Sequence, residues 1–244
     1  MKKTNILIVA ASDKARGNRE YPGFLSEMEG VCLLEKIAQK VQLIDNSAVR
    51  FAFLAEDVKK YRLVNITELI SPDSSITKVP SNTKGAACTA MLAAADFDRE
   101  DELLIVSANE FIDADLNKLV GGFRTSGYDA ATLTFQSVHP RYSYVRVEKG
   151  LVCQAAQCEP ISRTATTGLF WFRRVGDFME AIESAIRKDA HHEGQYYVAP
   201  LFNELLLKGR KVGAQPIAAR SYMPLKSEKQ IAAFEDAHME LASA

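Results

Sequence analysis

The chain has 244 residues, of which 47% are hydrophobic and 25% are charged, so it can bury a sizeable core as one α/β domain or two small ones. Its formal net charge of −1 provides no overall field that would draw it to nucleic acid or to an anionic membrane surface. No stretch approaches the roughly 20 consecutive apolar residues that cross a bilayer.

The first half of the chain alternates between strand-like and helix-like patterns. The apolar run 6–11 is short for a secretory signal and charged residues follow it, so we interpret 5–12 as a buried strand. The next predicted elements are a helix at 30–44, a strand at 49–55 followed by a polar connection, a strand within 75–81, a helix at 85–97, a strand at 102–108 and a helix at 113–127. This alternation predicts a mainly parallel sheet with helices on both faces.

The second half reads differently, because strands follow one another through short turns before the helices begin. The predicted elements are strands at 129–138, 142–157 with a turn at 148–150, and 165–174, helices at 175–190 and 196–209, a strand at 212–219 and a final helix at 227–244. Ser227 is predicted to cap the N-terminus of the final helix, and Gly209 is predicted to end the helix at 196–209. The sequence contains no repeat or obvious linker, so we predict one continuous domain over 1–244 with a mixed, mainly parallel sheet.

The cysteines and histidines do not form a metal-binding pattern. No C-x-x-C pair occurs among Cys32, Cys88, Cys153 and Cys158, which argues against a zinc site. We expect free thiols and a cytoplasmic protein.

A basic loop follows the first strand. It carries Lys14, Arg16 and Arg19 among small residues, and the breakers Pro22 and Gly23 come after it. Ligands of open parallel sheets bind beyond the carboxyl ends of the strands, so this loop is a candidate phosphate-binding loop. A solvated charged loop would have the same sequence, and the pattern does not separate the two interpretations.

Polar side chains also follow the strand at 102–108. Asn109, Glu110 and Asp113 come directly after it, and carboxylate and amide oxygens at a strand end suit Mg²⁺. In the alternative interpretation, Asp113 caps the following helix and Glu110 faces solvent.

Three further motifs have both a structural and a functional interpretation. Gly85 stands at the start of a helix, where the missing Cβ would let a base or ribose approach, or would allow tight helix–sheet packing. His139 and Arg141 near a strand start could contact a sugar or phosphate, or could form a buried turn. Loop histidines such as His191 and His192 usually have no functional role. Trp171 is predicted to lie in the core.

Five segments in this order resemble one known family. They are "TKGAACTAMLAA", "LLIVSANEFIDADL", "HPRYSYVRVE", "EPISRTATTGLFWF" and "GQYYVAPLFNELLL". Over roughly residues 5–234 the chain is similar to the bacterial sugar-nucleotidyltransferase-like proteins of capsule and surface-polysaccharide loci. The resemblance implies the three-layer α/β fold of nucleotide-diphospho-sugar transferases (GT-A, Rossmann-like), with a nucleotide-binding half at 1–127 and an acceptor half at 128–244.

The resemblance also implies a reaction and its partners. A phosphorylated sugar or similar small acceptor would attack the α-phosphorus of a nucleoside triphosphate and displace pyrophosphate, with Mg²⁺ as cofactor. A homo-oligomer is compatible with this activity. The implied residues are Lys14, Arg16 and Arg19 for catalysis; Ala10, Ala11, Ser12, Thr83, Gly85, Ala86 and Asn109 for the nucleotide; His139, Arg141, Thr167, Gly168, Tyr196, Asn203 and Glu204 for the acceptor; and Glu110 and Asp113 for the metal.

The chain departs from the family pattern at charged positions. Asn109 stands where the family has its metal-binding aspartate, Gly23 where it has a lysine, and Gln157 and Cys158 where it has a Glu-Lys pair. These departures leave two alternatives: a catalytically degenerate homologue that binds a nucleotide or a partner, and a GT-A glycosyltransferase that consumes a sugar nucleotide. The second alternative lacks the usual D-x-D pattern at the strand tip.

Overall fold

The computed structural model describes residues 2–11, 21–28, 30–225 and 227–236. The predicted Ser12, Lys14, Arg16 and Arg19 therefore lie outside the described residues. The described strands are β1 (Thr4–Val9), β2 (Glu27–Met28), β3 (Val31–Cys32), β4 (Ser47–Leu54), β5 (Ser75–Val79), β6 (Glu102–Ser107), β7 (Glu110–Ile112), β8 (Ala130–Gln136), β9 (Ser143–Glu148), β10 (Leu151–Gln157), β11 (Thr164–Phe172), β12 (Val212–Pro216) and β13 (Tyr222–Pro224). The described helices are α1 (Leu33–Gln42), α2 (Ala55–Lys60), α3 (Leu63–Ile70), α4 (Ala86–Ala93), α5 (Leu116–Thr125), α6 (Val175–Arg187), α7 (Leu201–Leu207) and α8 (Glu228–Asp236).

A mixed sheet forms the centre of the fold. Its strands lie in the order β10-β9-β11-β6-β1-β4-β5, and β8 and β12 extend from β11. The pairs β1–β4, β1–β6, β4–β5 and β8–β12 are parallel, whereas β11 is antiparallel to β6 and β8. The predicted mixed, mainly parallel sheet is therefore confirmed.

Both faces of the sheet are covered by helices. In β1, Ile6 and Ile8 join one hydrophobic cluster, which α1, α3 and α5 cover, while Leu7 and Val9 join the other, which α4, α6 and α7 cover. All six residues of β1 are buried, as expected of a parallel strand packed on both sides. The result is the predicted three-layer arrangement.

Two predicted elements differ in extent from the observed ones. The polar connection after β4 contains α2 and α3, which have six and eight residues and so are too short to show a sustained helical period. The helix predicted at 196–209 begins only at Leu201, after Pro200. Residues before Pro200 are not helical because the backbone of Tyr196 forms its hydrogen bonds with another segment of the chain.

A small antiparallel pair joins the end of the described chain to the tip of β6. β13 pairs with β7, so that Pro224 lies opposite Glu110, and the Leu225 N–H donates to the Asn109 carbonyl at 2.8 Å. The sequence did not predict this pair, because three-residue strands are too short to show an alternating pattern.

The described residues include no helix that is both long and apolar enough to cross a membrane. The four cysteines are free thiols, as predicted.

Candidate active site

A cavity of about 490 Å³ opens at the carboxyl ends of the two central strands. The chain passes from β1 to β4 on one side and later returns to β6 on the other side of β1, with Val9 and Ser107 in register. This reversal of strand order is where open α/β sheets bind ligands, and the volume lies within the usual range for small-molecule sites. The end of β1 and the polar tip of β6 therefore meet at one cavity.

Residues from eight separate segments of the described chain line the cavity. The lining residues are Val9 and Ala11; Leu54, Ser81, Thr83, Gly85 and Ala86; Ile105, Ser107, Asn109 and Glu110; Arg141, Ser143, Gln157, Cys158, Thr166, Thr167, Gly168 and Phe170; and Gln195, Tyr197, Val198 and Ala199. Nine of the predicted site residues are among them: Ala11, Thr83, Gly85, Ala86, Asn109, Glu110, Arg141, Thr167 and Gly168. Ala10, also predicted, is buried beside Ala11.

Gly85 brings two of these segments into close contact. Its φ is +97°, and a Cβ at this position would lie 2.5 Å from the Tyr196 carbonyl oxygen and 2.8 Å from the Tyr196 nitrogen. The Tyr196 N–H donates to the Lys84 carbonyl at 2.8 Å, and the Ala87 N–H donates to the Tyr196 carbonyl at 3.0 Å. The space left by the missing side chain is thus occupied by Tyr196, which corrects the expectation that it would admit a base or ribose.

Glu110 lies at the floor of the cavity and is only 2% exposed. A Cβ on Gly168 would overlap the Glu110 carboxylate, so the glycine leaves room for it. The Tyr222 hydroxyl is close by: burial raises its pKa well above the usual value, and the Glu110 carboxylate raises the pKa further. Glu110 therefore does not face solvent, and that alternative interpretation is wrong.

Asn109 is held through its backbone. Its N–H donates to the Ser107 Oγ at 3.3 Å, while its carbonyl accepts from Leu225. Both residues at the strand tip, Asn109 and Glu110, are thus fixed by the β7–β13 pair.

The described cavity wall is nearly uncharged. Among the described lining residues, Glu110 and Arg141 have charged side chains, and the polar remainder are hydroxyls and amides. Arg141 donates to the Gln230 Oε1 at 3.2 Å and to the His139 Nδ1 at 3.3 Å. The described wall therefore combines apolar surface with neutral hydrogen-bonding groups.

The Gln157–Cys158 pair forms a neutral edge of the cavity. Ser143 donates from its hydroxyl to the Gln157 Oε1, and the Gln157 Nε2 lies 3.1 Å from the Cys158 Sγ. Cys158 has a φ of +57° and donates from its backbone N–H to the Tyr142 carbonyl at 3.0 Å. This edge offers hydrogen bonds but no charge.

Asp113 lies away from the cavity. It forms an ion pair with Lys40 at 2.6 Å and its side chain is 61% exposed, because the chain has already turned outward after β7. It does not cap α5 either, since the Asp115 carboxylate accepts from the Lys118 N–H at 2.9 Å. The structure supports neither the metal role nor the capping role predicted for Asp113.

Four residues predicted to bind the acceptor do not line the cavity. Asn203 exchanges two hydrogen bonds of 2.8 Å with the backbone of Ala155, and so fastens α7 to β10. Glu204 faces α6 and accepts from Ser184 and Lys188, and the Tyr196 hydroxyl donates to Asp189. His139 is exposed beside Arg141 and does not reach the wall.

Several lining residues were not predicted from the sequence, among them Ser81, Ser107, Gln195 and Tyr197. Each lies one or two residues from a predicted site residue. Their common signal was a hydroxyl or amide side chain next to a strand end or a helix start.

No protein-family model matches the chain, and no curated protein matches its sequence significantly. Solved structures do match its fold. The nucleoside-diphosphate-sugar pyrophosphorylase of Vibrio cholerae RC9 has a TM-score of 0.77 and 21% identity, over 94% of this chain and 98% of that one. A UDP-glucose pyrophosphorylase in complex with UDP-glucose has a TM-score of 0.77 and 12% identity, over 99% and 100% of the two chains.

A Bacillus anthracis protein, assigned as a candidate glucose-1-phosphate thymidylyltransferase and bound to sucrose, has a TM-score of 0.75 and 14% identity. That match covers 96% of this chain and 94% of the other. At these identities the likeness establishes the architecture alone. The chain thus has the Rossmann-like fold of the sugar nucleotidyltransferases.

Proposed function

We propose that the chain is a nucleotidyltransferase that transfers a nucleoside monophosphate from a nucleoside triphosphate to a phosphorylated sugar or similar small acceptor. A role in surface-polysaccharide synthesis is part of this proposal. The observation that carries it is the cavity at the carboxyl ends of β1 and β6, in a fold shared with sugar-nucleotide pyrophosphorylases.

The proposed reaction is a displacement at phosphorus. A phosphate oxygen of the acceptor forms a bond to the α-phosphorus, and the bond from that phosphorus to the bridging oxygen breaks, so pyrophosphate leaves with the electron pair. In this proposal the cations Lys14, Arg16 and Arg19 stabilise the negative charge on the transferring group, as positioned charges do in other phosphoryl transfers. Arg141 at the cavity edge would hold the acceptor's phosphate.

The two sides of the cavity suggest where each substrate lies. The segment with Thr83, Gly85 and Ala86 would border the nucleotide, together with Ala11 and Asn109. Thr167 and Gly168 would border the acceptor, whose hydroxyl groups match the hydroxyl and amide side chains of the wall.

Mg²⁺ is the cofactor proposed for this reaction. The donors at the strand tip are one carboxylate, Glu110, and one amide oxygen, Asn109. They fit an ion that is bound by one or two protein ligands and completes its shell with water and substrate phosphates. When bound, Mg²⁺ would neutralise charge on the phosphates. Asp113 is not part of this set, since it is paired with Lys40.

The direct test is pyrophosphate release from each of CTP, UTP, ATP, GTP and dTTP with Mg²⁺, against a panel of sugar and polyol phosphates. We expect pyrophosphate release with at least one pair of nucleotide and acceptor. The rate of release should fall about tenfold or more in Glu110→Gln. Glu68→Gln, which changes an exposed glutamate of α3, is the matched control. If protein that is verified to be folded releases no pyrophosphate with any pair of the panel, the proposal is contradicted.

A second function is favoured by the neutral Asn109, Gln157 and Cys158: nucleotide binding without turnover. Asn109→Asp separates the two functions, with Asn65→Asp on an exposed face of α3 as the charge-matched control. If Asn109→Asp creates turnover that the natural chain lacks, the binding function is correct. If the natural chain already turns over and the change has little effect, the transferase is correct.

A further inference from the structure

The loop before α7 was singled out in the sequence for its adjacent histidines, and it is closely hydrogen-bonded in the structure. His192 and Gln195 exchange two backbone hydrogen bonds of 3.0 Å. The Gly194 N–H donates to the His191 Nδ1 at 3.0 Å, and the His191 Nε2 lies 3.6 Å from Asp189. The histidines thus shape a tight turn, and neither lines the cavity.

The turn leads into Tyr196, whose side chain faces back to it. The Tyr196 hydroxyl donates to the Asp189 Oδ1 at 3.2 Å, and its ring meets the His191 ring nearly edge-on, with centroids 5.9 Å apart. Neighbouring residues of an extended segment point to opposite sides. Gln195 and Tyr197 accordingly line the cavity while Tyr196 does not.

The backbone of Tyr196 binds the segment on the other side. It donates to Lys84 and accepts from Ala87, and Gly85 fits against it without room for a Cβ. Because Gly85 lines the cavity beside these bonds, a shift of Tyr196 would move two parts of the cavity wall at once.

We propose that Tyr196 is a positioning residue of the nucleotide site. The hydrogen bond from the Tyr196 hydroxyl to Asp189 holds the Tyr196 backbone in place. That backbone in turn holds the segment 83–86 at the distance from residues 195–199 that the nucleotide requires. This inference rests on the proposed function. It replaces the predicted contact between Tyr196 and the acceptor with an indirect role on the nucleotide side.

The kinetic test uses Tyr196→Phe, which removes the donor, Asp189→Gly, which removes the acceptor at a φ of +53° that suits glycine, and the double variant. Each should raise the KM for the nucleoside triphosphate about threefold to tenfold, with kcat within about twofold and the acceptor KM unchanged. The effect is modest because water competes for the Asp189 side chain, which is 81% exposed. The double variant should be no worse than the single ones, since both remove the same bond.

Tyr128→Phe is the matched control, because Tyr128 packs against Gly213 outside the cavity. It should leave both KM values unchanged. Equal changes in kcat and KM for both substrates, or additive losses in the double variant, would overturn the inference.

Amide hydrogen exchange gives a second measurement that does not depend on activity. In Tyr196→Phe, the N–H groups of Ala87 and Tyr196 should exchange about tenfold faster, while amides in β1 should keep their natural rates. Unchanged exchange at both would overturn the proposed positioning. If the natural chain shows no turnover, the proposed function fails, and the exchange rates alone decide the role of Tyr196.

Discussion

Gly85→Ala is the substitution whose effect follows most directly from the structure. The φ of +97° and ψ of 172° at Gly85 belong to a region that is essentially restricted to glycine. An alanine would also place its Cβ 2.5 Å from the Tyr196 carbonyl oxygen. The backbone of Tyr196 would therefore have to retreat by roughly 1 Å to restore an ordinary van der Waals contact.

Two costs combine in this variant. The unfavourable backbone region costs on the order of 1–3 kcal/mol, and forcing an extra carbon into a packed contact costs about 1–3 kcal/mol more. Gly150→Ala separates them, because Gly150 has a φ of +81° with no other atom within 4 Å of the added Cβ. We expect Gly150→Ala to show only the backbone cost.

Urea unfolding of both variants and of the natural chain measures the difference. We expect Gly85→Ala to lower the free energy of unfolding by about 2–6 kcal/mol, and to exceed the loss in Gly150→Ala by about 1–3 kcal/mol. Equal losses in the two variants would show that the segment 83–86 does not press against Tyr196. The account of the cavity walls would then be wrong.

Two other substitutions test the environment of buried carboxylates. Gly168→Ala should displace the Glu110 carboxylate from the cavity floor and destabilise the fold by about 1–3 kcal/mol. Urea unfolding would measure the loss of stability, and titration with a nucleoside triphosphate would measure binding. Unchanged binding would refute this placement of Glu110. At Glu204 burial raises the carboxyl pKa, but the hydrogen bonds from Lys188 and Ser184 outweigh it, so the pKa is lowered overall. A carboxyl group whose pKa is lowered in the folded state stabilises the fold when the pH is above the usual glutamate pKa. This stabilisation is lost as the pH falls through the lowered pKa. Glu204→Gln should thus cost stability at pH 7 and progressively less as the pH falls through the lowered pKa, which urea unfolding across an acidic pH series would show. The same cost at every pH would contradict the assignment.

The sequence predicted the layers of the fold because they follow from regular patterns. The β1 and β6 runs are apolar on both faces, and α6 repeats apolar residues with a helical period. Their order in the chain then implied a parallel sheet, and the rule for open sheets placed the predicted ligand site at the edge where the structure has its cavity.

The details of the site depend on contacts between distant residues, which the sequence does not show. That Gly85 accommodates Tyr196, and Gly168 accommodates Glu110, becomes visible only when the segments are packed together. The same holds for β13, which returns from the far end of the sequence to pair with β7. Asp113 was misplaced because a carboxylate near a strand tip can face outward to a lysine as easily as inward to a cavity.

The central claim is that a nucleoside triphosphate binds beyond the carboxyl ends of β1 and β6. A crystal structure of the chain with a nucleoside triphosphate and Mg²⁺ tests it most directly. The account predicts the nucleotide between the segment 83–86 and Asn109, with its phosphates near Glu110 and the end of β1. A nucleotide bound elsewhere on the protein, or an empty cavity at saturating nucleotide, would contradict it.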